Sequence, residues 1–121
     1  MSALSEANYV GDWLKYEADP NYCREAGSLA SGQDLASGTV LSYGTTTWSA
    51  FVHDDGTFGT AEGILVEAVD ATSAAKACVV LVRGPAIISK SELAWHADND
   101  TTEIAIGLAS LLATNGIVAR D

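Results

Sequence analysis

The chain has 121 residues, 48% of them hydrophobic, with 16 acidic side chains against 6 basic ones and a formal net charge of -10. That length suits one domain with a modest core and excludes a large multi-lobed enzyme. The acidic excess, with no basic cluster, would repel a nucleic acid backbone, so no nucleic acid partner is expected.

Residues 1–25 differ from the rest. Tyr9, Trp13, Tyr16 and Tyr22 hold four of the nine aromatics, among Asn, Asp, Glu and one Pro. The segment reads as a mostly extended, partner-seeking arm. Tyr9, Trp13 and Tyr16 stand at i, i+4 and i+7, so the alternative is a short helix packed on the body, which Gly11 weakens. Residues 1–10 lack a basic start followed by an apolar block, and the longest aliphatic run, 77–82, is far short of the ~20 residues a membrane helix needs. A soluble, unexported protein without a membrane partner is expected. Cys23 and Cys78 are too isolated for a zinc site or a disulfide framework, and Cys78, in Ala77-Cys78-Val79-Val80, reads as a small buried hydrophobe.

From 26 to 63, Gly recurs at 27, 32, 38, 44, 56, 59 and 63 and leaves room only for short strands. Residues 39–43 and 45–52, rich in β-branched and aromatic side chains, are predicted strands, with a reversal at Asp54-Asp55-Gly56. Residues 64–69 and 78–83 are predicted strands joined by a loose connection. The second has almost no polar alternation and should be covered on both faces. Gly84-Pro85 interrupts it, and Ala86-Ile87-Ile88 resumes at an edge or a bend.

One helix is well signalled. It begins near Asp100, where Asp100 and Glu103 have capping-box spacing, and ends at Asn115-Gly116. Ile104, Leu108, Leu111 and Leu112 form an apolar stripe, while Ile106 and the alanines at 105, 109 and 113 occupy other faces. With no charge from 104 to 114, the helix should be covered on more than one side. The fold class is α+β, mainly β: a small body of short strands (26–121) with one C-terminal helix, preceded by an extended N-terminal arm (1–25).

No set of residues has the spacing of a reactive centre. His53-Asp54-Asp55 sits at a glycine turn, where neighbours point apart. Asp98-Asn99-Asp100 opens like a calcium loop, but Glu103 stands where Gly is needed and Ala109 where Glu is needed. Cys23 with His53 or His96 has no local signature of a nucleophile, and Gly56-Thr57-Phe58-Gly59 lacks the Lys of a phosphate cradle. No catalytic, cofactor-binding or metal-binding residue is assigned, and no enzyme activity or cofactor is expected. The alternative function is a small ligand-binding β module in which Trp48, Trp95, Phe51 and Phe58 line a pocket.

An ordered series runs through the chain: Gly11-Asp12-Trp13-Leu14-Lys15-Tyr16-Glu17-Ala18, Arg24-Glu25, Asp55-Gly56, Gly63-Ile64-Leu65, Val69-Asp70-Ala71-Thr72, Val79-Val80-Leu81-Val82-Arg83-Gly84-Pro85-Ala86, Leu93-Ala94-Trp95, and a last helix closing in Gly116-Ile117-Val118. In this order it resembles the lambda-type phage head decoration proteins over nearly its whole length. The resemblance implies a structural protein without an active site, made in the host cytoplasm. It implies a homotrimer on the outer surface of the virion capsid, at three-fold positions of the expanded head, that stabilises the shell against internal DNA pressure. Its partners would be itself and the phage major capsid protein. Tyr9, Trp13, Leu14, Tyr16 and Tyr22 would belong to the capsid-binding arm, and Ile104, Ile106, Leu108, Leu111 and Leu112 to the trimer interface. Deleting residues 2–22 is then expected to leave a folded trimer that no longer binds shells.

Overall fold

In a computed structural model, residues 10–44, 46–53 and 59–120 are described. The elements in chain order are α1 (Val10–Trp13), β1 (Leu14–Glu17), α2 (Pro20–Cys23), β2 (Arg24–Leu29), β3 (Gln33–Leu35), β4 (Val40–Tyr43), β5 (Trp48–Ala50), β6 (Gly63–Leu65), β7 (Val69–Ala71), β8 (Lys76–Leu81) and β9 (Ala86–Ser89). A 3-10 turn (Lys90–Glu92), α3 (Thr101–Ser110), a π-helical turn (Leu111–Asn115) and β10 (Ile117–Arg120) complete the chain. The fold is α+β and mainly β. Strands β2, β5, β4, β6 and β8 close a small barrel in that order, β1, β9 and β10 form a three-stranded sheet, and β3 pairs with β7.

The apolar strands bury side chains on both faces because they separate two cores. Leu29, Leu41, Trp48, Leu65, Cys78 and Val80, drawn from all five barrel strands, pack together with Ala71. The next residues along β4, β6 and β8 (Val40, Ile64, Leu81) turn the other way and meet Trp13, Cys23, Phe51, Ile88, Leu111 and Ile117. Side chains alternate along a strand, so one apolar run feeds both clusters. The predicted coverage of 78–83 holds for Cys78, Val80 and Leu81, but Val79 is 38% exposed.

Three strand expectations are corrected. Residues 64–69 are not one strand: β6 ends at Leu65 and β7 begins at Val69 in another sheet, where it pairs with β3. Residues 86–88 are no edge, because β9 is the middle strand of its sheet, antiparallel to β1 and parallel to β10. Of the described residues 46–52 only Trp48–Ala50 is strand. The reversal expected at Asp54-Asp55-Gly56 lies outside the described residues.

Residues 10–25 are built into the body. Trp13 is fully buried, and its Nε1 donates to Ser37 Oγ at 2.9 Å, whose hydroxyl donates to the Val66 carbonyl at 2.6 Å. Gly38 lies beneath the indole at φ +90°. A Cβ there would sit 2.9 Å from Trp13 Cδ1, so only glycine satisfies both the backbone and the contact. A 2–22 deletion would therefore open the core rather than leave a folded trimer.

The helix matches its sequence signals. Asp100 Oδ1 accepts from Glu103 N–H at 2.8 Å, and Glu103 Oε1 accepts from Asp100 N–H at 2.9 Å. Gly116 ends the helical segment in the left-handed region at φ +70°. We expect Trp13→Ala to cost about 3–5 kcal/mol and Asp100→Ala about 1 kcal/mol. Exposed Tyr16→Ala should stay within about 0.5 kcal/mol of the parent. Urea unfolding followed by tryptophan fluorescence and circular dichroism checks all three.

Candidate interaction surfaces

Several of the residues considered for chemistry make structural contacts. Cys23 is fully buried, with its thiol 4.0 Å from the Pro85 carbonyl. His96 Nδ1 accepts from Asp98 N–H at 3.1 Å, and His53 N–H donates to Asn99 Oδ1 at 3.0 Å. Asn99 also donates to the Phe51 carbonyl at 2.8 Å, so it staples the loop before α3 to the end of β5 while Asp100 caps the helix. Asp54 and Asp55 lie outside the described residues. Among the described residues, no group of three or more His, Cys, Asp or Glu is placed to hold a metal ion.

The aromatics proposed for a ligand pocket do not converge. Phe51 and Trp95 meet edge to face, 6.1 Å between ring centres, against Gly107 of α3. Trp48 belongs to the other core cluster and packs at 5.0 Å from Tyr43. Phe58 lies outside the described residues. Phe51 does border a hollow of about 260 Å³ shared with His53, Thr60 and Ile106.

The candidate arm residues divide sharply. Tyr9 lies outside the described residues. Trp13 is enclosed by its own chain, and Leu14 is half-buried. Tyr16 and Tyr22 are open to solvent, 53% and 59% exposed. Tyr22 is held in place: the Arg83 guanidinium lies 5.1 Å from its ring centre and is ion-paired with Glu25. Sequence reasoning missed Arg83 and Glu25 because 58 residues separate them. Their juxtaposition depends on the antiparallel register of β2 on β8.

The candidate helix residues divide in the same way. Leu111 is fully enclosed in its own core, and Ile104 and Leu108 are half-buried. Ile106 and Leu112 are exposed at 44% and 54%, beside exposed Ala105, Ala109 and Ala113. Because Leu111 already has its packing partners, Ile106 and Leu112 are the large side chains open to a second surface.

A small barrel with apolar and aromatic side chains displayed outward at Tyr16, Tyr22, Ile106 and Leu112 offers surfaces for association. A family model, bacteriophage lambda head decoration protein D, matches residues 3–117. The chain belongs to that family of structural head proteins, and a phage head decoration role comes with the membership. No curated protein matches it.

Burial pushes the Cys78 thiol pKa above its ordinary value, which leaves less thiolate at a given pH. Both cysteines are buried and free. In the native protein at pH 8 they should resist Ellman's reagent, and both should react once urea opens the core. Rapid native labelling would contradict this packing.

Proposed function

We propose that this chain decorates the outside of the expanded phage head as a homotrimer at three-fold positions and stabilises the shell against internal DNA pressure. The observation that carries the reading is the family match over 3–117. Residues 1–25 act as the capsid-facing unit, with Tyr16 and Tyr22 presented outward and Trp13 as the peg that fixes them to the body. The major capsid protein is the partner, and the protein reaches the virion surface after synthesis in the host cytoplasm.

The uncharged helix supplies the self-contact. Ile106 and Leu112, with the small alanines between them, allow another backbone to approach closely. A subunit hiding ~800 Å² of mainly apolar surface gains roughly 20 kcal/mol gross at about 25 cal/mol/Å². Association costs of about 4 to 15 kcal/mol are then met. A trimer that binds only the expanded lattice stabilises it by its binding free energy at every site. Three contacts made at once also discriminate against a shell with different spacing.

Two measurements test this. Tyr16→Ala combined with Tyr22→Ala, which spares the Trp13 peg, should leave the fold intact and weaken co-sedimentation with expanded empty shells about tenfold or more. Equal binding of the parent protein to expanded and unexpanded shells would defeat the spacing argument. Ile106→Glu with Leu112→Glu should leave a folded monomer in sedimentation equilibrium under conditions where the parent is trimeric. A parent that is monomeric both free and on shells would sink the trimer.

A further inference from the structure

The barrel is closed along one seam by a single residue pair. β2 meets β8 through six pairs, from Arg24 with Leu81 to Leu29 with Lys76. On its other side it meets β5 only at Leu29 with Trp48. Backbone groups alternate in direction along a strand, so odd and even residues of β2 face opposite neighbours. The Val82 N–H bond to the Cys23 carbonyl, 2.9 Å, assigns the odd residues to β8. The Ala30 N–H bond to the Trp48 carbonyl, 2.9 Å, assigns the even residues to the β5 side.

Ala26 is an even residue that is exposed to solvent, and among the described residues no strand lies across from it. The Gly44 N–H bonds the Thr47 carbonyl at 2.8 Å, which ties Gly44 to the residue before β5. Among the described residues, the N–H and C=O of Ala26 and the N–H of Ser28 therefore face a gap.

That gap is a groove of about 600 Å³ with a built floor and two lips. Trp48 lies against Gly27, where a Cβ would come within 2.8 Å of Nε1. Tyr43, 41% exposed and packed on Trp48, forms one lip. Arg83, tied to Glu25, forms the other. Glu62 is fixed at the rim by accepting from Tyr43 N–H at 3.0 Å. Asn115 donates to the carbonyls of Glu62 and Val82, at 3.2 and 2.8 Å, and its buried Oδ1 has no donor.

We propose that this groove seats an extended, basic stretch of a partner polypeptide, which adds a strand to the open edge of β2. The unpaired backbone groups give affinity to any extended chain. The rigid aromatic lip gives contact area at low entropic cost. Charge selects the occupant: Glu25 and Glu62 outnumber Arg83 at the groove, so a basic segment is favoured there over an acidic one. The inference requires neither a shell nor a trimer, so its failure would leave the decoration reading untouched.

The test is an NMR titration of the full chain with a blocked heptapeptide alternating Lys and Thr. The controls are the same peptide with every backbone amide methylated and a Glu–Thr counterpart. The Lys–Thr peptide should shift the amide signals of Ala26 and Ser28 and slow their exchange. Methylation, or Ala26→Pro in the protein, should weaken binding about tenfold or more. The dispersion of amide signals verifies the fold of Ala26→Pro, and the methylated peptide repeats the test on unaltered protein. Equal binding of methylated and unmethylated peptides would overturn the proposal. So would equal binding of the acidic peptide, or silence at Ala26 and Ser28 up to millimolar peptide.

Discussion

The constraint on which the structure depends is that β4, β6 and β8 are shared between two cores. Val40 and Leu41, Ile64 and Leu65, and Leu81 and Val80 are adjacent pairs in which one member enters each cluster. A one-residue slip would exchange every member of a strand between the clusters, so packing on either side fixes the register for both. The fit at the centre is close: a Cβ on Gly63 would sit 2.5 Å from Val80 Cγ1. Strands spent in this way leave few side chains to water, among them Tyr43 and Val79. The surface must come from elsewhere, and α3, the β1–β9–β10 sheet and the N-terminal segment supply it.

This explains why the N-terminal segment is both core and display. Trp13 completes the outer cluster, and the Trp13–Ser37–Val66 hydrogen-bond relay satisfies its indole N–H inside that cluster. Ala18 N–H then bonds the Pro85 carbonyl at 3.0 Å, and Arg24 pairs with Glu17 at 2.5 Å. Tyr16 and Tyr22 consequently project from a braced support. A braced aromatic loses little freedom when it is covered by a partner, which is the property that makes such side chains effective at interfaces.

How much of this the sequence could reveal depends on where the deciding partner lies. The helix was legible to its caps because Asp100, Glu103 and Gly116 act on residues a turn away. The strands at 39–43 and 78–83 were legible because β-branched runs have few other uses. The break after Leu65 was not, since Ile64-Leu65-Val66 remains apolar across it and the reason β6 stops is a change of sheet. The central place of β9 was hidden for the same reason: its neighbours β1 and β10 are contributed by opposite ends of the chain. Trp13 was misplaced because an aromatic in a polar segment looks the same whether it is a peg or a lure. Only Ser37 and Gly38, 24 and 25 residues on, distinguish the two.

The exposed helix face and the groove at β2 differ in physics, and so in what each can specify. Burial of the exposed Ile106 and Leu112 against another surface would be non-directional: apolar area favours association without fixing an angle or a partner. The groove holds directional groups, a strand edge and a fixed carboxylate, which reject a mismatched occupant because an unmet backbone donor or a like charge is costly once buried. A head decoration protein can use both kinds. The separation along the chain, with α3 at one end and β2 at the other, lets either surface change while the doubly shared strands between them keep the fold.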